Sequence, residues 1–289
     1  MNTLFLIWFA VLFSFCTENK VKNNNDTKKS ILNYYNFDKP NQIEITSKLN
    51  EISGLTLSSK GNIFAVNDEI GIIFELNPNN GKIIKSFSLN NLAIKGDFEG
   101  ITVTKQNIYV ITSNGNLYKF NEGENYSAVK FNVIKLPFSN KFEIEGLFYD
   151  EELNGLLILP KEYSGKKYKN SRTVYLYSFE NLKVMKTPVF IISLKELKEN
   201  FGIKDFYPSG ITKHPLNGHY LIISAKKENS IVELSKSGKI ISAFKLKEKI
   251  HRQPEGITIL KDYSLLISDE AAGKKPTLTK YEITKMDTQ

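Results

Sequence analysis

Short runs of apolar residues, many of them alternating with polar ones, follow one another along most of the chain. Residues 100–137 contain four such runs, which read GITVTKQ, NIYVITS, NGNLYKFN and AVKFNVIKLP. A period of two between turn-forming residues indicates β-strands, whereas an amphipathic helix would show a period of 3.6. The pattern predicts an all-β protein built from short antiparallel strands.

A motif in which Gly follows Glu or Ser and precedes an apolar residue returns at regular intervals. It reads NEISGLTL, KGDFEGITV, FEIEGLFYD, YPSGITKH and QPEGITIL, with its glycine at Gly54, Gly100, Gly146, Gly210 and Gly256. Three of the four intervals are 46 residues long. Four antiparallel strands in a unit of this length form a blade of a β-propeller. Five motifs therefore predict a single five-bladed β-propeller of four-stranded antiparallel blades.

The two ends of the chain supply complementary parts of one blade. Only three strand patterns follow Gly256, while the segment Asn41–Asn50 precedes the first motif as a fourth strand precedes each of the others. We expect this N-terminal strand to join the last blade, with residues 42–49 opposite residues 277–284. The ring would then be closed, and no exposed strand edge would be left there to invite aggregation.

The one long interval, from Gly146 to Gly210, carries two insertions. Residues 162–173 form a basic loop, for which a solvated surface is the simpler interpretation and anion binding the alternative. In residues 193–202, Ser193 is positioned to cap a two-turn helix that has Glu196 in its first turn and ends at Gly202.

The first residues resemble a bacterial lipoprotein signal. An uncharged apolar run at residues 4–15 stops at Cys16, the only cysteine of the chain, and a polar tract follows. This predicts a signal peptide at 1–16, a polar tether at 17–38 and the propeller at 39–289. The expected location is the cell envelope, with a lipid anchor in the membrane; an uncleaved anchor and plain secretion are the alternatives.

Composition excludes several classes of site. Without a cysteine in the folded part, there is no disulfide, no cysteine-based zinc site and no cysteine nucleophile. The net charge of +8 comes from scattered lysines rather than from a basic helix, so we expect no nucleic-acid partner. Nucleophile-elbow, P-loop and HExxH motifs are absent from the sequence. We expect a monomer.

Acidic residues recur where the strands meet one mouth of the channel. The residue before each motif glycine starts an axial strand, and these residues are Ser53, Glu99, Glu145, Ser209 and Glu255. Carboxylates about 6 Å apart at an effective dielectric of ~20 repel by about 3 kcal/mol per pair. Water, a shared proton or a bound cation could relieve this, unless the acids only help to form turns. Calcium suits an irregular ring of oxygens, so Glu99, Glu145 and Glu255 are the candidate metal ligands.

The second strand of each blade ends at the same mouth. Its acidic residues are candidates for catalysis: Asp68, Glu69, Asp269 and Glu270. Glu69 or Glu270 would act as a general base, and Lys161 or Lys226 would stabilise a developing anion.

The motifs EISGLTL, VNDEIGIIFEL, GDFEGIT, FEIEGL, YPSGIT, QPEGITIL and LLISDE resemble those of the SdiA-regulated (YjiK-like) family over about residues 40–285. The resemblance implies a five-bladed propeller distantly related to NHL-repeat proteins, a calcium ion at an acidic site, and a suspected enzymatic activity. The acidic site would fall on Glu99, Glu145 and Glu255, with the four acidic residues of the second strands beside them. Ser53 and Ser209 depart from the acidic pattern.

Two functions remain open at this point. The first is a calcium-dependent hydrolase of phosphoesters or lactones, in which the ion activates water. The second is a non-catalytic propeller in which calcium is structural and the acidic face binds a small molecule or a protein. A catalytic ion would keep open, water-filled positions, whereas a structural ion would be enclosed by protein oxygens.

Overall fold

The computed structural model describes residues 30–284. The predicted signal peptide with Cys16, and the first part of the predicted tether, lie outside the described residues. Within residues 30–284 the chain forms 22 β-strands, one α-helix and short 3-10 helices at Ile31–Tyr34, Ser47–Leu49 and Lys166–Tyr168. None of the described helices is long and apolar enough to cross a membrane.

The strands form five sheets, each starting at a central axis and continuing outwards. The chain enters through β1 (Asn41–Glu44). Blade 1 contains β2 (Ile52–Leu57), β3 (Ile63–Asn67), β4 (Ile72–Leu76) and β5 (Ile83–Leu89). Blade 2 contains β6 (Phe98–Val103), β7 (Ile108–Thr112), β8 (Asn116–Phe120), and, after β9 (Ala128–Val129), the outer strand β10 (Phe131–Lys135). The short strand β9 pairs in parallel with β5 of blade 1.

Blade 3 contains β11 (Ile144–Asp150), β12 (Gly155–Pro160) and β13 (Ser171–Ser178), and its outer edge is shared by β14 (Lys183–Val184) and β15 (Phe190–Ser193). Blade 4 contains β16 (Pro208–Lys213), β17 (Tyr220–Ser224), β18 (Ser230–Leu234) and β19 (Ile240–Lys245). Blade 5 contains β20 (Pro254–Ile259), β21 (Leu265–Asp269) and β22 (Thr277–Tyr281), with β1 as its outer strand. The predicted five-bladed propeller is confirmed.

Closure of the ring by the N-terminal strand is also confirmed. Asn41 lies opposite Lys280 and Glu44 opposite Thr277 in an antiparallel pair. The side-chain amide of Gln42 donates to the hydroxyl of Thr279 at 2.8 Å. The strand is shorter than predicted, because a 3-10 helix at Ser47–Leu49 turns the chain inwards towards the first axial strand.

The hydrophobic core is divided among the interfaces between blades. Five clusters of buried residues are present, and each joins two neighbouring blades around the ring. For example, Leu157 and Leu159 of blade 3 pack with Ile211 and Ile222 of blade 4. Side chains that alternate between the two faces of each sheet supply these contacts, as the period of two predicts.

Each motif glycine allows the axial strands to approach one another. A Cβ on Gly100 would lie 2.6 Å from the backbone nitrogen of Leu147, and one on Gly54 would lie 2.8 Å from the carbonyl oxygen of Glu99. All five axial strands also carry a β-bulge at the residue before the glycine. A bulge redirects a side chain out of the regular alternation, so it places this residue at the channel mouth.

The helix predicted in the long interval is present as α1 (Leu194–Phe201). The hydroxyl of Ser193 accepts a hydrogen bond from the backbone N–H of Glu196 at 3.2 Å. Gly202 ends the helix with φ of 71°, a left-handed conformation that suits glycine.

Residues 30–38, which the sequence analysis assigned to the polar tether, include side chains that pack on the propeller. Ile31, Leu32 and Tyr35 are buried against blades 4 and 5. The carboxylate of Glu233, which is fully buried, accepts hydrogen bonds from the hydroxyl of Ser30 and from the backbone N–H of Ile31. Apolar burial and this anchor outweigh the polar composition of the segment.

A buried histidine holds the same segment in place. The hydroxyl of Tyr35 donates to the carbonyl oxygen of Tyr263 at 2.7 Å, and the Nδ1 atom of His214 accepts from the N–H of Leu216 at 3.3 Å. His214 therefore donates through Nε2–H to the oxygen of Tyr35 at 2.8 Å and is neutral. Burial lowers the pKa of His214 to about 4.

We expect this histidine to make stability depend on pH. Its folded pKa lies below the unfolded value of 6.5, so the unfolded chain binds a proton that the folded protein does not. The contribution of neutral His214 to the free energy of unfolding is complete above pH 6.5. It is lost as the pH falls towards 4, and the loss amounts to up to about 3 kcal/mol. Urea unfolding between pH 7 and pH 4 should show a steeper loss for the parent than for His214→Gln. Parallel pH profiles would contradict this assignment.

Candidate functional site

The bulged residues of the five axial strands line one small cavity at the axis together with the motif glycines, as predicted. The two serines among them face neighbouring blades. The hydroxyl of Ser53 donates to the carbonyl oxygen of Phe98 at 2.5 Å, and that of Ser209 donates to the carbonyl oxygen of Pro254 at 2.6 Å. Both carbonyls come one residue before a glutamate of the ring. Ser53 and Ser209, which stand where the other motifs have glutamate, thus link blade 1 to blade 2 and blade 4 to blade 5.

The three glutamates of the ring share a lysine. Glu145 and Glu255 are buried and Glu99 is half-buried. Lys161, directly after β12, places Nζ at 2.9 Å from Oε1 of Glu145. The sequence suggested Lys161 as a contact for a substrate anion, and the structure shows that it also balances the charge of these acids.

The environment favours the neutral form of these carboxyl groups. Burial, together with Glu145 and Glu255, raises the pKa of Glu99 to about 10. Burial likewise raises the pKa values of Glu145 and Glu255 to about 8, against the opposing effect of Lys161. Although burial works against its charge, the neighbouring glutamates raise the pKa of Lys161. Part of the predicted repulsion is therefore relieved by a lysine and by protons.

A second acidic group lies where blades 1 and 5 meet. Glu51 precedes β2, Asp68 follows β3 and Glu270 follows β21, and one carboxylate oxygen of each lies within 4.8 Å of the other two. Within the part of the chain that the structure describes, no other acidic, histidine or cysteine side chains converge in this way. We call Glu51, Asp68 and Glu270 the acidic cluster. Of its members, the sequence indicated only Asp68 and Glu270, and as catalytic residues.

Burial and mutual repulsion favour the neutral forms of two carboxyl groups in the acidic cluster. Burial, with Glu51 and Glu69, raises the pKa of Asp68 to about 6. Burial, with Glu51 and Asp68, raises the pKa of Glu270 to about 8. The Oδ1 atom of Asp68 is buried and has no hydrogen-bond partner among residues 30–284. An all-oxygen donor set with a free buried oxygen fits calcium.

The other two predicted catalytic residues differ from each other. Glu69 is exposed beside Asp68. Asp269 is buried, with Oδ2 at 2.8 Å from Nδ1 of His251, whose Nε2 lies 2.6 Å from the hydroxyl oxygen of Tyr281. Asp269 of β21 is thus joined to Tyr281 of β22 through His251, which precedes β20, while Glu69 faces solvent at the edge of the acidic cluster.

Comparison with known sequences decides the family. The sequence model of the SdiA-regulated family matches residues 29–226 and 185–289. The chain belongs to the SdiA-regulated family. No curated protein matches this family member at a significant level.

Solved structures similar to this SdiA-regulated protein are β-propellers. Glutaminyl cyclase from Myxococcus xanthus has a TM-score of 0.57 at 11% identity, covering 86% of this chain and 96% of its own. A luciferin-regenerating enzyme has a TM-score of 0.54 at 10% identity, with coverages of 86% and 96%. The PQQ-bound aldose sugar dehydrogenase from Streptomyces coelicolor has a TM-score of 0.52 at 11% identity, with coverages of 85% and 98%. At these identities the likeness shows the fold alone.

Glu51 is the site residue of this SdiA-regulated propeller that sequence reasoning missed. It stands three residues before Gly54, and acids occupy the same motif position at Asp97 and Glu143. This recurrence of acids three residues before the motif glycine could have indicated Glu51 as a candidate site residue. The convergence itself was not visible in the sequence, because it joins the start of one blade to the end of another.

A cavity of about 530 Å³ opens beside the ring and gives this family member space for a ligand. Its lining combines acids, amides and two lysines: Asp97, Glu99, Ser113, Asn114, Asn140, Glu143, Glu145, Lys161 and Lys226.

Proposed function

We propose that the protein is a calcium-dependent hydrolase of phosphoesters or lactones in the cell envelope. The observation that carries the proposal is the acidic cluster, in which Glu51, Asp68 and Glu270 converge and Oδ1 of Asp68 is buried without a partner among the described residues. A buried, unpaired carboxylate oxygen is costly, and a cation offsets that cost. The envelope location and lipid anchor remain predictions from residues 1–16.

We place the cation at the acidic cluster rather than at Glu99, Glu145 and Glu255, the ligands that the sequence predicted. Glu99, Glu145 and Glu255 already have Lys161 as a countercharge. The acidic cluster has no ion pair within residues 30–284 at the distances of a salt bridge. The carboxylate oxygens of the acidic cluster therefore have no internal countercharge within that range to displace when a cation binds.

Each charged group has a role in this scheme. A bound calcium ion would polarise a phosphoryl or carbonyl oxygen and lower the pKa of a bound water. Glu51, Asp68 and Glu270 would hold the ion. Glu69, exposed beside Asp68, would accept the proton of the attacking water. Lys161, which lies between the ring and the open cavity, would stabilise the negative charge that develops on the substrate.

The alternative is a binding propeller with structural calcium. Glu51, Asp68 and Glu270 are all partly exposed rather than enclosed. An ion held by them would keep positions for water or substrate. This exposure favours the hydrolase over the structural role.

Calcium should stabilise the folded protein by about 2.7 kcal/mol at a hundredfold excess over its dissociation constant, because it binds the folded state alone. Asp68→Asn combined with Glu51→Gln should abolish this gain. Thermal unfolding in calcium and in chelator, with a calorimetric titration, measures both.

The matched control is Glu99→Gln combined with Glu145→Gln, which likewise replaces two carboxyl groups by amides, but in the ring, and should keep the calcium-dependent gain. Superimposable melting curves of the parent in calcium and chelator would reject the metal site. Turnover of a phosphodiester and a lactone is measured on the same samples. Calcium stabilisation without turnover of either would favour the binding propeller, whereas turnover that Glu69→Gln leaves unchanged would reject Glu69 as the general base.

A further inference from the structure

A second cavity of about 530 Å³ adjoins the acidic mouth on the side of blades 4 and 5. Four cationic side chains line it: Lys161, Lys226, Lys227 and Arg252. Its acids are Glu248, which is exposed, and Glu255, which is buried. The mouth of the channel thus has an acidic side and a basic side, and we call this cavity the basic cavity.

Two of the three lysines of the basic cavity, and a nearby arginine, lie around one aromatic ring. Nζ of Lys226 and of Lys227 lie 4.9 and 5.2 Å from the centroid of Tyr207, and the guanidinium carbon of Arg172 lies 5.2 Å from it. The carboxylate partners of the two lysines are about 3.5 Å away and largely exposed. Exposed pairs of this kind contribute little, so both ammonium groups can still bind an anion. Nζ of Lys227 also donates to the hydroxyl of Tyr207 at 2.9 Å.

The backbone that carries these lysines is held in an uncommon conformation. Lys226 and Lys227 have φ of 75° and 62°, in the left-handed region that non-glycine residues rarely occupy. Hydrogen bonds on both sides hold the turn, from the N–H of Ala225 to the carbonyl of Tyr207 and from the N–H of Glu228 to the carbonyl of Lys226. Backbone strain of this kind persists where surrounding structure enforces it, and it concentrates at ligand sites.

Arg252 brings an unsatisfied donor to the basic cavity. Its Nη2 donates to the carbonyl oxygen of Lys275 at 2.9 Å, while Nη1 is buried and has no hydrogen-bond partner in the described part of the chain. The amide of Asn229 donates to the carbonyl oxygens of His251 and Arg252, which fixes this segment. A buried donor without an acceptor costs free energy that an anionic oxygen would recover.

We propose that the basic cavity binds the phosphoryl group of an anionic substrate. A planar carboxylate is best recognised by two parallel N–H groups of an arginine, but Nη2 of Arg252 is already occupied. Separate ammonium groups around the free Nη1 group of one guanidinium suit the several oxygens of a tetrahedral phosphoryl group. The side-chain amide of Gln253, which lines the cavity, donates to the carboxylate of Glu270 in the acidic cluster. The phosphoryl group would therefore lie next to the cation site.

This inference rests on the proposed function in one respect, because it takes the phosphoryl group to be part of the substrate of the proposed hydrolase. It narrows the substrate class to phosphoesters. Titration calorimetry with inorganic phosphate and with phenyl phosphate, both in chelator, tests the cavity without calcium. Lys226→Gln combined with Arg252→Gln should weaken binding of both probes about tenfold or more. The matched control is Lys130→Gln with Lys135→Gln, which removes two lysines from the outer edge of blade 2 and should change affinity less than twofold.

Absence of binding by either probe in the parent would overturn the inference. Equal weakening in the control variant would also overturn it, because general surface charge would then explain the binding. Benzoate that binds as tightly as phenyl phosphate would overturn the phosphoryl assignment. Phosphate binding without calcium stabilisation would support the basic cavity while rejecting the metal site, and calcium stabilisation without phosphate binding would do the reverse.

Discussion

Deletion of all residues up to Ile45 should abolish the cooperative unfolding transition of the propeller. The deletion removes β1, and with it the pairing partner of β22, together with the segment that packs on blades 4 and 5. Ile31, Leu32, Tyr35 and Ile45 are each at most 6% exposed. Burial of four such side chains contributes roughly 6–12 kcal/mol, which is comparable with the whole stability of a domain.

Two shorter deletions separate the contributions of the segment and the strand. Removal of residues up to Lys29 leaves every described contact in place and should not change unfolding. Removal up to Pro40 takes away Ser30, Ile31 and Tyr35 but keeps β1, so it should lower the melting temperature while the transition stays cooperative. Calorimetry and circular dichroism follow all three proteins. An unchanged transition after deletion to Ile45 would disprove closure by the N-terminal strand.

Gly100→Ala should destabilise the protein by about 3 kcal/mol or more. The new methyl group would lie 2.6 Å from the backbone nitrogen of Leu147 and 2.7 Å from its Cβ, so the axial strand of blade 3 would have to move. Neither contact is the flexible end of a side chain. Urea unfolding of the purified variant measures the loss.

Gly202→Ala is the matched control, because it adds the same methyl group where nothing lies within 4 Å. Its cost comes from φ of 71° alone and should be about 1 kcal/mol. If the two variants lost equal stability, close packing of the axial strands would not be the reason for the glycine motif.

The repeat predicted the architecture because its signals are local. Gly81 and Gly238, in the turns between β4 and β5 and between β18 and β19, have φ of 67° and 84°, which glycine adopts readily, and Ser193 caps its helix. The closing strand was also predictable, because the last blade lacked a fourth strand pattern. The packing of residues 30–38 was not, since Ile31 and Tyr35 stand in a polar tract and their partners lie about 200 residues away.

The site was less predictable than the fold, because its geometry depends on contacts between blades. Proximity of Glu99, Glu145 and Glu255 to the axis followed from the motif, but the position of Lys161 among them depends on how blade 3 sits beside its neighbours. Asp269 and Glu270 are adjacent in sequence, yet Asp269 is the last residue of β21 and Glu270 lies beyond the strand, so their side chains have different surroundings. One is therefore buried beside His251, and the other lies in the acidic cluster.

Because blade 5 combines β1 with β22, the ring cannot close until the ribosome has added residue 281. Contacts between segments so far apart in sequence form slowly, since the intervening chain must first be brought into a loop. Blades 1 to 4 can form earlier, and the edge of β22 stays open until β1 arrives. The time between these events, rather than the stability of the finished ring, sets how long a newly made chain is exposed to aggregation and proteolysis.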